Sequence, residues 1–147
     1  MPTRALITGG AGFIGSHLSE RLIAAGQEVT IIDNLSTGQF ENIAHLEGNP
    51  KFHYAIEDIR NATVMDRLVS ECDVIYHLAA AVGVFSIVST PIDTIEINVG
   101  GTEVVLRTAR RYRTVQIKAG NQTLTAADPL PAELAEALAE INSHGVH

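Results

Sequence analysis

Residues 8–15 read Thr-Gly-Gly-Ala-Gly-Phe-Ile-Gly and stand between the apolar run Ala5-Leu6-Ile7 and a segment with apolar residues at helical spacing. A glycine-rich turn in that place joins a buried strand to a helix. Glycines at 9, 12 and 15 let the chain turn sharply, let backbone approach a pyrophosphate closely, and let the helix pack tightly on the strand. The helix then presents free N–H groups and its positive dipole end to the phosphates. The same spacing also occurs in plain strand-to-helix turns, so the features that accompany it carry the argument.

Short apolar strands alternate with longer amphipathic segments, the pattern of a parallel sheet covered by helices. Strands are predicted at Arg4–Thr8, Glu28–Asp33, Phe52–Ile56 and Asp73–Leu78, the last apolar enough in Val74, Ile75 and Tyr76 to be central. The first helix takes its apolar face from Ile14, Leu18, Leu22 and Ile23 and ends at Gly26. A short helix at Thr63–Val69 buries Val64, Leu68 and Val69. A long helix runs from Ile92 to Tyr112, with Pro91 in its first turn and Ile95, Val99, Val105, Leu106 and Ala109 facing the sheet. This reads as an α/β fold: a Rossmann-type, doubly wound parallel sheet of about five strands in three αβα layers.

Residues 114–147 have a different texture. Thr114–Ala119 alternates Val115 and Ile117 with polar neighbours and is expected as a fifth or edge strand. After Asp128-Pro129-Leu130-Pro131, a stripe of Leu134, Leu138 and Ile141 opposes Glu133, Glu136 and Glu140, and Gly145 stops that helix. The chain therefore divides into a dinucleotide-binding part, 1–113, and an atypical strand and helix, 114–147, that complete or cap the same domain.

The length of 147 residues suits one domain. The formal net charge of −7 argues against nucleic acid as a partner. No apolar run is long enough for a membrane span and no signal peptide opens the sequence, so a cytoplasmic location is expected. The single cysteine, Cys72, offers neither an intrachain disulfide nor metal-ligand spacing, and its place before an apolar strand suits a buried thiol.

Asp33 ends the second strand, 18 residues after Gly15, where an adenosine ribose lies if the glycine turn holds the pyrophosphate. A carboxylate there accepts from both ribose hydroxyls and repels a 2′-phosphate, which predicts NAD over NADP. The alternative is an Asp that only caps a turn. Asp58, in Glu57-Asp58-Ile59, stands where it accepts from the adenine amino group while Ile59 meets the ring. Leu78-Ala79-Ala80-Ala81 closes the fourth strand with small side chains that admit a flat ring or ribose, or that simply permit tight helix packing.

Five segments in order, Thr8 to Leu18, Asp33 to Gly38, Asp58-Ile59, His77 to Ala80 and Asn98 to Thr102, resemble successive motifs of the extended short-chain dehydrogenase/reductases, most of all the nucleotide-sugar epimerases, dehydratases and decarboxylases. The resemblance covers Arg4 to about Arg113 and only the first part of a family member. It implies that Gly9, Gly12 and Gly15 surround the pyrophosphate, with the Phe13 and Ile14 amides as donors. It also implies that Asp33 holds the ribose with Asn34 and Ser36 beside it, that Asp58 and Ile59 bracket adenine, and that Leu78, Ala79 and Ala80 lead to the nicotinamide ribose. Asn98 matches a family Asn that supports the active site. Val82 to Ser86 border the substrate side, with no role assigned inside that stretch.

Family members follow the long helix with a Tyr-x-x-x-Lys pair that handles the substrate hydroxyl proton. Here Asp58, Ala80 and Gln116 stand four residues beyond the three tyrosines, and the only lysines are Lys51 and Lys118. No catalytic residue is identified beyond the supporting Asn98. The expectation is an NAD-binding domain truncated relative to the family and catalytically incomplete, with a nucleotide sugar as partner only in the parent enzyme. A frameshift, fragment or chimera joined near Arg113 accounts for such a tail. The alternative is a non-enzymatic NAD-responsive or protein-interaction module. A homodimer is expected, on the ground that the sheet keeps an exposed apolar edge if Thr114–Ala119 does not fill the slot beside the fourth strand.

Overall fold

The computed structural model describes residues 2–81 and 88–112, and the backbone of 116–119 and 122–125. Strand β1 (Arg4–Thr8) leads through the glycine turn into α1 (Phe13–Ala24) and β2 (Glu28–Asp33). Two 3-10 turns, Phe40–Asn42 and Ala44–Leu46, precede β3 (Phe52–Ile56), which is followed by α2 (Ala62–Ser70) and β4 (Val74–His77). A composite helix then comprises α3 (Pro91–Ile95), a π turn (Glu96–Gly100) and α4 (Gly101–Arg111), ahead of β5 (Gln116–Ala119) and β6 (Gln122–Thr125).

The strands form one sheet in the order β3-β2-β1-β4-β5-β6. All pairs are parallel except β5 with β6, which is antiparallel. The five expected parallel strands are therefore present, and β6 adds a sixth. The chain starts in the middle, builds outward to β3, then crosses back to place β4 on the other side of β1. That reversal is the topological switch point of a doubly wound fold.

Each face of the sheet buries its own core, because side chains along a strand alternate between faces. Leu6, Ile32 and Ile75 pack beneath α2 and α4 with Met65, Leu68, Val69, Val105 and Ala109. Ala5, Ile7, Val29, Ile31 and Val74 pack on the opposite face with Ile43, Leu46 and Phe52, flanked by Leu18, Leu22 and Ile23 of α1. The Asn61 side chain caps α2 by accepting from the Val64 amide at 3.3 Å. Among the described residues no helix is long and apolar enough to cross a membrane.

Two helix faces differ from expectation. Ile14 does not join the apolar face of α1 but is 68% exposed, because α1 begins at Phe13 and its first turn overhangs the end of the sheet. The most buried residues of α1 are the small Gly15, Ser16 and Ser19, and Leu18, Leu22 and Ile23 pack beside them on the core. Ile95 is 59% exposed instead of facing the sheet. The π turn inserts one residue, which rotates everything before it by about 100° relative to α4. Val105 and Ala109 keep the buried stripe while Ile92 and Ile95 turn outward.

β5 pairs with β4 in register Ile75↔Ile117, so the slot beside β4 is filled. The exposed edge on which the expected homodimer rested is absent. The predicted helix of Leu134, Leu138 and Ile141, with its stop at Gly145, lies outside the described residues, as do Val82 to Ser86 and the start of the fifth strand at Thr114.

Cys72 is 7% exposed, and its Sγ donates to the Val69 carbonyl. Burial pushes the thiol up to about 12, which removes the reactive thiolate at neutral pH. An aromatic disulfide reagent is expected to leave the native protein untouched and to titrate one thiol per chain in denaturant. Rapid reaction of the native protein would show that the end of α2 opens.

Candidate functional site

The loops that follow β1, β2, β3 and β4 converge at the C-terminal edge of the sheet around a cleft of about 580 Å³. All thirteen residues predicted to hold a cofactor line it: Gly9, Gly12, Phe13, Ile14, Gly15, Asp33, Asn34, Ser36, Asp58, Ile59, Leu78, Ala79 and Ala80. Ala81 and Gly38, at the ends of two of the quoted segments, also line it, and the sequence does not single out Thr90, Asp93, Thr94 or Ile97, which form a further wall. The last four come from around α3, where no motif marks them.

The glycines have distinct jobs. Gly9 has φ +71° and lies so close to β4 that a Cβ would fall 2.9 Å from the Ala79 amide nitrogen. A Cβ on Gly15 would overlap the Gly9 carbonyl oxygen and lie 2.7 Å from Gly10 Cα. At Gly12 the nearest atom to an added Cβ is the Gly9 oxygen, at 3.3 Å. Gly9 thus serves close packing of the turn on the segment after β4, Gly15 serves packing within the turn, and Gly12 leaves its cleft side uncrowded.

Gly12 is the N-cap of α1 and supplies no side-chain cap. Its own N–H is spent on the Gly9 carbonyl at 3.2 Å, and its carbonyl accepts from Ser16 at 3.0 Å. The amides of Phe13, Ile14 and Gly15 have no acceptor among the described residues. Amide donors left over at the positive end of a helix, bordering a cleft, are the arrangement that suits an anion.

Asp33 is 8% exposed. Its Oδ2 accepts from the Ala11 amide at 3.0 Å and its Oδ1 from the Leu35 amide at 2.8 Å. The Leu35 bond closes an Asx turn in which Leu35 takes φ +60°. Each carboxylate oxygen retains acceptor capacity beyond these bonds. Gly38 makes room for this arrangement, since a Cβ there would lie 2.9 Å from Asp33 Oδ2. The Ala11 carbonyl is pinned in turn by the Gln39 amide at 3.1 Å and Asn42 Nδ2 at 2.9 Å. Asp33 is therefore a turn-forming residue whatever else it binds. Asn34 accepts from the Ser36 amide at 3.1 Å, and both residues stay exposed.

Asp58 is committed locally. Arg60 donates to its carboxylate through its backbone amide at 2.8 Å and through Nε and Nη2 at 3.0 and 2.7 Å. That guanidinium holds the carboxyl below the usual carboxylate range. Ile59 is 6% exposed and occupies the space where a Cβ on Gly101 would lie. Asn98 does not line the cleft but clasps its floor: Oδ1 accepts from the Ala81 amide at 2.7 Å and Nδ2 donates to the Ala81 carbonyl at 3.1 Å. The π turn brings Asn98 to this position. Among the described residues no cluster of side chains suits a metal ion.

Residues 6–123 match the GDP-mannose 4,6-dehydratase family. The chain is 44% identical over 108 residues to UDP-glucuronic acid decarboxylase 1 of Arabidopsis thaliana, covering 74% of this chain and 24% of that protein. It is 46% identical over 110 residues to the UDP-N-acetyl-alpha-D-glucosaminuronate decarboxylase of Bacillus cytotoxicus, covering 74% and 33%. Among solved structures it is similar to the dTDP-glucose 4,6-dehydratase of Streptomyces venezuelae with NAD bound, at TM-score 0.70 and 34% identity, covering 74% of this chain and 36% of that one. The chain thus spans about a quarter to a third of the length of the curated relatives it matches. With the match running from β1 through β5, and with the glycine turn, Asp33 and Asn98 all within it, the chain belongs to the GDP-mannose 4,6-dehydratase family.

Proposed function

We propose that this chain is an NAD-binding domain of the nucleotide-sugar epimerase and dehydratase type, with 1–113 holding the cofactor and 114–147 completing its sheet. The observation that carries the reading is the row of unpaired amides at Phe13, Ile14 and Gly15 beside the buried carboxylate of Asp33. A dinucleotide pyrophosphate satisfies the amides. The adenosine ribose places its hydroxyls on the lone pairs that Asp33 does not spend on Ala11 and Leu35, and a 2′-phosphate there meets a carboxylate of like charge. Asn34 and Ser36 flank that ribose, and Ile59 and Asp58 flank adenine, with Asp58 already neutralised by Arg60. Leu78, Ala79 and Ala80 form the floor toward the nicotinamide. When bound, NAD supplies a hydride acceptor. Support comes from the family match and from the Streptomyces venezuelae neighbour, which was solved with NAD.

Within these 147 residues the acid-base pair of the family is missing, so the domain binds without turning over. A nucleotide sugar is a partner only of a site completed elsewhere. A cytoplasmic location belongs to the same reading and accords with the lone, buried thiol. Mixing the purified chain with NAD and UDP-glucose or UDP-glucuronate is expected to give no growth of absorbance at 340 nm and no altered sugar. Sustained product formation would mean that the tail supplies its own acid-base groups.

A further inference from the structure

Behind the cleft floor a chain of hydrogen bonds links the ends of three of the sequence motifs. Thr8, at the end of β1, is fully buried. Its Oγ1 accepts from the Ala79 amide at 3.1 Å and from the Leu78 amide at 3.0 Å, the latter shared with the Thr8 carbonyl at 3.2 Å. The same oxygen lies 2.8 Å from His77 Nδ1. On the other side of the ring, Nε2 lies 3.1 Å from Thr102 Oγ1, which donates to the Asn98 carbonyl at 2.6 Å. Asn98 clasps Ala81.

Donor counting fixes every proton in this chain. A hydroxyl has one hydrogen and two lone pairs. Thr102 has spent its hydrogen on Asn98, so toward His77 it accepts, and His77 carries its proton on Nε2. Both lone pairs of Thr8 Oγ1 face floor amides, so toward His77 it donates, and Nδ1 accepts. Burial holds the ring below the ordinary histidine range, which keeps it neutral at neutral pH.

We propose that His77, as the neutral Nε2–H tautomer, is a positioning residue for the nicotinamide side of the cleft: it ties the floor amides of Leu78 and Ala79, through Thr8, to the π turn that holds Ala81. The inference rests on the reading of the cleft as a cofactor site. Its reach is local, because the relay touches the floor after β4 and none of the groups that face the adenosine half. Removing the acceptor for Nε2–H leaves a buried donor unpaired and frees the ring to tilt or change tautomer, and the floor moves with it.

Two measurements on the full chain test this. The first is the imidazole nitrogen-15 spectrum, with His77 identified by its loss in His77→Gln. A protonated Nε2 and an unprotonated Nδ1 are expected, and the opposite tautomer or a charged ring overturns the proposal without reference to any ligand. The second compares NAD with ADP, which lacks the nicotinamide ribose, by titration calorimetry. Thr102→Val should weaken NAD by about tenfold while leaving ADP within twofold, and Thr102→Ser, which restores the hydroxyl, should recover most of the loss. Equal loss of NAD and ADP, no loss of either, or no rescue by Ser overturns the proposal. If Thr102→Val proves unfolded in its melting curve, Thr102→Ala takes its place with the same expectations. Parent protein with the predicted tautomer that binds neither NAD nor ADP would overturn the cofactor reading itself, and with it the positioning role.

Discussion

Asp33→Ala is expected to lower folding stability by about 3 kcal/mol, the cost of leaving two buried or half-buried amides without their charged acceptor. Those amides belong to Ala11 and Leu35, at 3.0 and 2.8 Å. The same change removes the group placed against the ribose hydroxyls, so NAD affinity should fall by at least a hundredfold and the preference over NADP should disappear. Denaturant midpoints and paired titrations with the two cofactors read these effects separately. Asp33→Asn should fall between, because one acceptor oxygen remains and the new amide group faces an N–H it cannot accept from. Unchanged stability in Asp33→Ala would show that the Ala11 and Leu35 bonds contribute nothing. Equal affinities for NAD and NADP in the parent would contradict the ribose role.

Gly15→Ala and Gly12→Val should separate the structural glycine from the binding one. The added methyl at Gly15 collides with backbone, the Gly9 carbonyl and Gly10 Cα, and neither can move without opening the turn. A loss of about 3 kcal/mol is expected, near the top of the range for overpacking in a tight core. Gly12 has open space on its cleft side, and its nearest neighbour to an added Cβ is one oxygen at 3.3 Å. Gly12→Val should therefore keep its melting temperature within a few degrees while NAD affinity drops by at least a hundredfold, because the side chain stands where the pyrophosphate must approach. Undiminished affinity in Gly12→Val would make the turn a purely structural feature.

Much of this fold is legible along the chain because its determinants are local. Ala5 to Ile7, Val29 with Ile31-Ile32, and Val74-Ile75 are short apolar stretches, and they become the buried strands β1, β2 and β4. The thirteen cleft residues were legible for a related reason: in a doubly wound sheet every loop after a strand end faces one edge, so residues read from separate loops must meet. What is not legible is set by contacts distant in sequence. Ile95 looks like part of the sheet-facing stripe until the π turn, held around Asn98 and Ala81, shifts the phase. Asp33 reads as a ligand group, yet its first partners are the backbone of two turns. Gly38 and Asn42 matter because both pack on the Ala11 peptide, 27 and 31 positions away. Thr8, His77 and Thr102 each stand at one end of a motif, but the sequence gives none of them a role, and they meet only after β1, β4 and α4 are packed together.

The most direct test of the central claim is a calorimetric titration of the purified chain with NAD, run beside NADP and preceded by a circular dichroism melt that establishes folding. Saturable one-to-one binding that favours NAD is the result expected from the amides at the start of α1, which have no acceptor among the described residues, and the carboxylate of Asp33. A cooperatively folded chain that binds neither dinucleotide would contradict the account and leave the glycine turn as architecture alone.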